Sequence, residues 1–357
     1  TEGEEGVDAR RRPPHRPRGA IYRNEFRQAC YDHPLGGRGA RTRRSWSSSM
    51  LREPMCPRTR FAADWKTSPW PYFALALGWS WLFWIPVAAS GLDTSAGPGV
   101  VLCIVGIFGP AVSAILLTCL ASDKEAQREY WNRLINIRRI RPGWYVTIML
   151  VAPVYSALAV LMAWIIKGEI PPLDTAVGYV THPLTIIPFA ITRMLYGPLP
   201  EEMGWRGYAL DRLQRRWSAL ASSLVLGVIW AIWHMPMFFM RGSLMSDVFP
   251  LWSTGFWVAM GPGLLAGSVV MTWVYNNTRR STLAAVLLHF MMNFTGEFLR
   301  LPGEIKNYQF VWLALIAVAV TMIYGPASLT GRSRRPPVGM GPESAQDMPG
   351  AQSDNMA

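Results

Sequence analysis

Charge is scarce in this chain. Of its 357 residues only 16% are Asp, Glu, Lys or Arg, against 50% that are hydrophobic, whereas a soluble domain carries about 25% charged residues. The charge it has gathers at the ends. Residues 1–70 hold 15 Lys/Arg and 8 Asp/Glu, residues 331–357 hold 3 of each, and the 260 residues between keep 17 basic and 12 acidic side chains. So few charges cannot coat a water-soluble globule of that size, which excludes a soluble enzyme. Cysteine is scarce too. Four in the whole chain are too few for a disulfide scaffold. Cys103 and Cys119 fall in one apolar run and read as small packing residues, while Cys30 and Cys56 lie in the basic N-terminal stretch. An internal repeat of the transporter kind is also missing.

Long apolar runs are what the chain does have. A membrane span needs roughly 20 apolar residues, and 72–90, 99–121, 144–166, 218–240, 250–275 and 308–330 qualify. Two further runs carry polar groups or breakers. Segment 179–200 contains Pro183, Pro188, Arg193, Pro198 and Pro200, and segment 282–298 contains His289, Asn293 and Glu297. Such residues are tolerated inside a span where neighbouring helices or a wet cavity satisfy them, so they point inward. The expected fold is all-α, a polytopic membrane bundle of about eight transmembrane helices over residues 66–330. Segment 179–200 could instead be re-entrant. Residues 1–65 are rich in Arg, Pro, Gly and Ser without apolar periodicity and read as a disordered basic extension. They lack the apolar h-region of a signal peptide. Met50 and Met55 stand just before the first span, and the expectation is that translation starts at one of them, the upstream residues being a mis-called extension. Residues 331–357 read as a free tail.

Loop charge gives a topology. Loops 122–143, 201–217 and 276–281 hold six, four and two Lys/Arg, while 91–98, 167–178, 241–249 and 299–307 hold none, one, one and two. Basic loops stay in the cytoplasm, so both termini are expected there, in a multi-pass protein of the cell membrane. The net charge of +12 is thus used for topology. Anionic lipid headgroups are its expected partner rather than nucleic acid.

The informative polar residues begin at Glu201-Glu202-Met203-Gly204-Trp205-Arg206. Adjacent carboxylates followed by Arg usually mark a solvated helix face. Here they follow an apolar segment directly and precede Tyr208, Leu210, Leu213 and Trp217, an apolar face at helical spacing. Pro198 and Pro200 mark the start of that helix, so both Glu sit in its first turn, where the macrodipole favours negative charge. Glu202 and Arg206, at i and i+4, meet as an ion pair. Glu201 is turned about 100° away and stays uncommitted, available as a base in a poorly hydrated site. Trp230 and His234 share a helix face at the same spacing, and so do His289 and Asn293. A lone intramembrane His often serves only as interhelical glue. Two His, an Asn and two Glu on three apolar segments together indicate a functional cluster.

These three motifs, Glu201-Glu202-x-x-x-Arg206, Trp230-x-x-x-His234 and His289-x-x-x-Asn293, resemble those of the CPBP (Abi) intramembrane proteases, which include the type II CAAX prenyl endopeptidases. One departure is visible. Trp230 stands where the family pattern usually has Phe, which is expected to alter pocket shape rather than chemistry. The resemblance implies an endopeptidase acting on a membrane-associated substrate, a prenylated CAAX-type protein among the candidates. In that scheme Glu201 activates a water that His234 helps to hold, His289 and Asn293 stabilise the oxyanion, and Glu202 with Arg206 orients the base. No cofactor is favoured, but the family has also been read as zinc metalloproteases. Glu201, His234 and His289 would be the ligands, although the His-Glu-x-x-His helix of soluble zincins is missing. Other intramembrane chemistries lack their signatures, there being no Gly-x-Ser-x-Gly and no Gly-x-Gly-Asp. The rival readings are a non-enzymatic immunity or scaffold protein of the same fold, and a transporter with a Glu/His proton relay. Depth is open as well. Glu201 falls near the cytoplasmic surface and His234 about 24 Å into the next span, so either the helix opened by Glu201 dips inward or that span begins later than 218.

Overall fold

The computed structural model describes residues 66–330. The expected N-terminal extension 1–65, the start at Met50 or Met55 and the tail 331–357 lie outside the described residues. Those described form helices and, among them, no strand.

In chain order the helices are α1 (Trp70–Ser90), α2 (Gly97–Ile107), α3 (Gly109–Ala121), α4 (Lys124–Ile135) and α5 (Pro142–Lys167). Then come the short α6 (Asp174–Thr181), α7 (Ile186–Leu195), α8 (Pro198–Gly204) and α9 (Leu210–Gln214), and the longer α10 (Ala219–His234). The last five are α11 (Leu244–Val248), α12 (Thr254–Val258), α13 (Leu264–Asn277), α14 (Thr282–Leu299) and α15 (Gly303–Tyr324). Six stretches are long and apolar enough to cross a membrane: α1, α5, α14, α15, Ala219–Phe239, and the continuous run Thr254–Asn277. The pair α2–α3 makes a seventh if it counts as one span, bent by 41°. Pro110 in the first turn of α3 cannot donate to the preceding turn, which accounts for the bend. Side chains of α1 satisfy the carbonyls beside it. Ser80 Oγ donates to Gly106 O at 2.7 Å, and the indoles of Trp84 and Trp79 donate to Cys103 O and Val105 O, each at 3.0 Å. Where water is absent, backbone groups freed by a kink need such partners.

The remaining segment, 179–200, is not one helix. Pro183, Pro198 and Pro200 lack the donors that would carry an i→i+4 ladder through it. It breaks into α6, a 3₁₀ turn over Pro183–Thr185, α7 and the start of α8. The chain nevertheless changes ends of the bundle along this path. One end is tied together by Arg139 donating to Arg279 O, Asn276 bonding Gln214, Asn277 donating to Leu329 O, and Arg133 pairing with Asp211. The other end is tied by Thr94 bonding Arg241 O, the Lys167–Glu304 ion pair, and Lys306 lying over Phe249. These two sets of loops are the basic-rich and basic-poor sets read from the sequence. Lys167 belongs to the second set and Asp211 to the first, so residues between them pass from end to end.

They do so antiparallel to α14 and in register with it. Arg193 pairs with Glu297, Gly197 lies beside Asn293, Glu202 meets His289, and Gly207 lies beside Thr282. Behind this run stands a core of aromatic rings. Trp205 contacts Tyr72 and Trp233 with centroids 5.6 and 5.8 Å apart, and Trp233 contacts Trp84 at 4.7 Å. Helix association in a membrane depends on such packing and on interhelical hydrogen bonds more than on expelling water. Gly204 permits the closest approach, since a Cβ there would collide with the Pro110 backbone and the Tyr72 hydroxyl. Thus α8 is pressed into the bundle, with Pro198, Pro200, Glu201, Glu202 and Gly204 all buried.

Candidate functional site

The first motif sits on α8, which begins at Pro198 as its prolines predict. Glu201 and Glu202 point to different neighbours, as their offset around the helix requires. Both oxygens of Glu202 accept from Arg206 Nη1, at 2.9 and 3.0 Å, and Oε1 also lies 2.9 Å from His289 Nδ1. Glu202 and Arg206 are both 0% exposed. Their charges are therefore mutual necessities, because a buried ion left alone is strongly destabilising. Arg206 Nη2 reaches Ser268 Oγ at 3.3 Å, and that hydroxyl donates to Ser223 O at 2.8 Å. The pair is thereby anchored to α10 and α13.

Past Gly204 the helix widens into a π turn over Trp205–Ala209. Such turns free carbonyls from the regular ladder and occur often at functional sites. Here Gly207 O accepts from Arg133 Nη2 at 3.0 Å, and Tyr130 donates to Met203 O at 3.0 Å. Arg133 also bonds Asp211 and Tyr275. The amphipathic α4 therefore clamps the run bearing the first motif from the basic-rich end. Arg133 lies in this clamp, outside the spans, and its guanidinium is raised above the ordinary arginine value. Burial alone would lower it, but the facing Tyr275 and Asp211 outweigh that.

Glu201 has a different environment. Its Oε2 accepts from Trp230 Nε1 at 2.7 Å, while no hydrogen bond among the described residues uses Oε1. That oxygen faces Gly197 on the preceding turn: a Cβ at Gly197 would lie 3.7 Å from Oε1 and 3.6 Å from Asn293 Nδ2. A small space thus exists between a carboxylate oxygen and an amide donor.

The second motif arrives on α10. His234 Nδ1 is 2.8 Å from Trp230 O. A ring nitrogen facing a carbonyl must carry the proton, so Nε2 of the neutral ring is the acceptor. The third motif lies on α14, where the carboxylate of Glu202 likewise assigns a proton to His289 Nδ1. Neither Nε2 has a hydrogen-bond partner among the described residues. Trp230 stands in the middle of this group. Its ring lies 5.8 Å from that of His234 and 5.3 Å from that of His289, and the Arg206 guanidinium is 5.1 Å above it.

All six residues singled out in the sequence, Glu201, Glu202, Arg206, His234, His289 and Asn293, are therefore placed around one centre. The depth question is answered by α8 itself. It dips into the bundle to meet His234, and α10 begins at Ala219, close to the boundary read from hydropathy. Arg193 pairs with Glu297 at 2.9 Å, not with either carboxylate of the first motif. Among the described residues no group of three His, Cys, Asp or Glu side chains stands close enough together to hold a metal ion. Four participants, or their roles, escaped the sequence reading. Trp230 was expected to affect shape alone, yet it donates to Glu201. Ser268 and Ser223 carried no motif. Gly197 matters through what it leaves empty.

Residues 183–295, which span all three motifs, match the family model described as Type II CAAX prenyl endopeptidase Rce1-like. The chain is also 25% identical over 263 residues to CAAX prenyl protease 2 of Methanococcus maripaludis, covering 73% of this chain and 95% of that relative. The resemblance carried by the motifs is thus found again in comparisons that use far more of the chain. With six or seven helices of membrane length, this is a multi-pass membrane protein with the signature of a membrane protease family.

Proposed function

With the type II CAAX endopeptidase signature over residues 183–295 as premise, we propose that this chain is an intramembrane endopeptidase in which Glu201 is the general base. One observation carries this reading. Of two adjacent buried glutamates, Glu202 is consumed by Arg206 and His289, while Glu201 keeps one oxygen free and facing Asn293. A carboxylate in a buried site, with one oxygen held and the other open, suits proton abstraction.

The steps follow from these atoms. Glu201 Oε1 takes one proton from a water molecule whose other hydrogen is held by His234 Nε2. The water oxygen bonds to the scissile carbonyl carbon, and the displaced electron pair moves to the carbonyl oxygen. Asn293 Nδ2 donates to that oxyanion, and His289 donates through Nε2 when its ring carries both protons. Aimed donors in a dry site are worth several kcal/mol to such an intermediate. Collapse re-forms the carbonyl and breaks the C–N bond, and Glu201 returns its proton to the departing amine. Glu202 and Arg206 hold His289 and the α8 turn in place.

The substrate class is taken from the family. A protein tethered to the membrane by a prenyl group near its C-terminus would present its scissile bond at the bundle, and release of the C-terminal tripeptide is the expected reaction. The basic loops favour a cytoplasmic location for the Arg133–Arg139–Arg280 end and for both termini, where anionic headgroups would meet it.

The test uses full-length protein in detergent with a fluorogenic farnesylated CAAX-type peptide, with and without chelator. Cleavage should fall by at least about 100-fold in Glu201→Gln and persist with chelator. Loss with chelator, restored by zinc, would replace the glutamate mechanism with a metal one. Full activity in Glu201→Gln would remove Glu201 from the chemistry, and a cellular role surviving that change would favour the scaffold reading.

A further inference from the structure

Three neighbours already described converge on one side chain that the mechanism above does not use. Trp230 donates from Nε1 to Glu201 Oε2 at 2.7 Å, its ring meets His289 edge-on at 5.3 Å, and the Arg206 guanidinium sits 5.1 Å over its face. Trp230 is itself 4% exposed, and its own carbonyl receives His234 Nδ1 at 2.8 Å. One residue therefore touches the base, both histidines and the ion pair. A phenyl ring could fill much of this space and keep the edge-on contact. It could not supply the N–H.

The N–H has a specific consequence. A glutamate side chain has three rotatable bonds, and a free carboxylate would sample several orientations. Glu201 receives no other hydrogen bond among the described residues. The indole alone pins Oε2, and with it the plane of the carboxylate, so that Oε1 faces the space between Gly197 and Asn293. A competing orientation has a partner. Arg206, already paired with Glu202, lies 5.1 Å over the same indole ring and keeps an Nε without a hydrogen bond among the described residues, so a carboxylate released from Trp230 has a reason to turn toward it. Turned that way, Glu201 would resemble Glu202: satisfied, and useless as a base.

We infer that Trp230 is a positioning residue for hydrolysis, its indole N–H holding one oxygen of Glu201 so that the other is presented to water. This rests on Glu201 acting as the base. Orientation held to within a few tenths of an ångström is what converts a bound carboxylate into an effective one. Trp230 does not itself touch the scissile bond, so its loss should act on turnover and leave substrate affinity alone.

The experiment compares wild type, Trp230→Phe, and protein carrying benzothienylalanine at 230, in which sulfur replaces the N–H at nearly constant shape. Both replacements should lower kcat roughly 10- to 100-fold, the worth of a hydrogen bond to a charged group, with KM within about twofold and the protein still fully folded at the assay temperature. Glu201→Gln runs beside them, and Trp230→Phe should cost nothing further in that background. An infrared difference spectrum, wild type minus Glu201→Gln, locates the Glu201 carboxylate band without needing substrate, and that band should move in both Trp230 variants. An unmoved band, or full kcat in the benzothienylalanine protein while Glu201→Gln is inactive, overturns the inference and leaves the proposed base standing. A rise in KM matching the fall in kcat overturns it as well, making Trp230 part of the substrate pocket. Full activity in Glu201→Gln strikes the proposed function instead, and the infrared band then still reports whether the hydrogen bond exists.

Discussion

Replacing Glu202 by Gln and Glu201 by Gln are chemically identical changes one residue apart, and the structure expects very unequal effects on stability. Glu202 is fully buried, accepts two contacts from Arg206, also 0% exposed, and a third from His289 Nδ1. Glu202→Gln leaves a buried guanidinium without its counter-charge. Removing one partner of a buried pair costs about 3–5 kcal/mol. At about 2–4 °C per kcal/mol for a protein of this size, melting should fall by roughly 6–20 °C. Glu201 accepts one hydrogen bond, from a neutral indole, and a Gln carbonyl can accept it too. Glu201→Gln should therefore cost no more than about 1 kcal/mol. The assay is thermal unfolding in detergent followed by tryptophan fluorescence, with peptide cleavage measured on the same samples. Both variants should be inactive and only Glu202→Gln unstable. Equal melting temperatures for the two would refute the division of labour between the glutamates. A neutral double variant, Glu202→Gln with Arg206→Met, should recover much of the lost stability, since it also removes the unpaired buried guanidinium that carries the cost.

Gly197→Ala should fold normally, because its Cβ would meet Asn293 Nδ2 and Glu201 Oε1 at ordinary contact distances of 3.6 and 3.7 Å. It would, however, fill the space where water and carbonyl must meet, so kcat/KM should fall at least about 100-fold with melting unchanged. The Arg193–Glu297 pair is partly exposed, at 37% and 21%, and is worth about 0.2–1 kcal/mol. Arg193→Gln should shift melting by only a few degrees, and the exchange Arg193→Glu with Glu297→Arg should restore it; a loss above about 10 °C would show that the pair holds the α6–α7 segment far more firmly. Topology can be read with single cysteines and an impermeant maleimide on intact cells. Cysteine at 95 or 246 should label, and cysteine at 138 or 279 only after lysis; the reverse pattern would invert the orientation.

Much of this arrangement was legible from residue order alone. Hydropathy located every span that the structure contains, because a run of apolar residues long enough to cross a bilayer has few other uses. The i, i+4 spacing of Glu202 and Arg206 foretold their ion pair, since helical geometry makes such residues neighbours whatever surrounds them. Segment 179–200 was less tractable. Its prolines announced a break, but neither hydropathy nor propensity says whether a broken segment turns back or carries on. The course it takes depends on contacts with α14, some hundred residues later in the chain.

The role of Trp230 was the reading most changed by the structure. From its spacing to His234 the residue could be assigned a face, and from its size a volume. Which way an indole points its single N–H is settled by what lies across from it. Composition, hydrophobic runs, loop charge and short-range spacing are local properties, and they determined the fold class, the two sets of loops and the identity of the polar residues that matter. Tertiary structure decided which glutamate is consumed and which is left free, because that depends on an antiparallel register bringing His289 to Glu202 and on α10 bringing an indole to Glu201. Such distances arise only when helices remote in sequence are packed together.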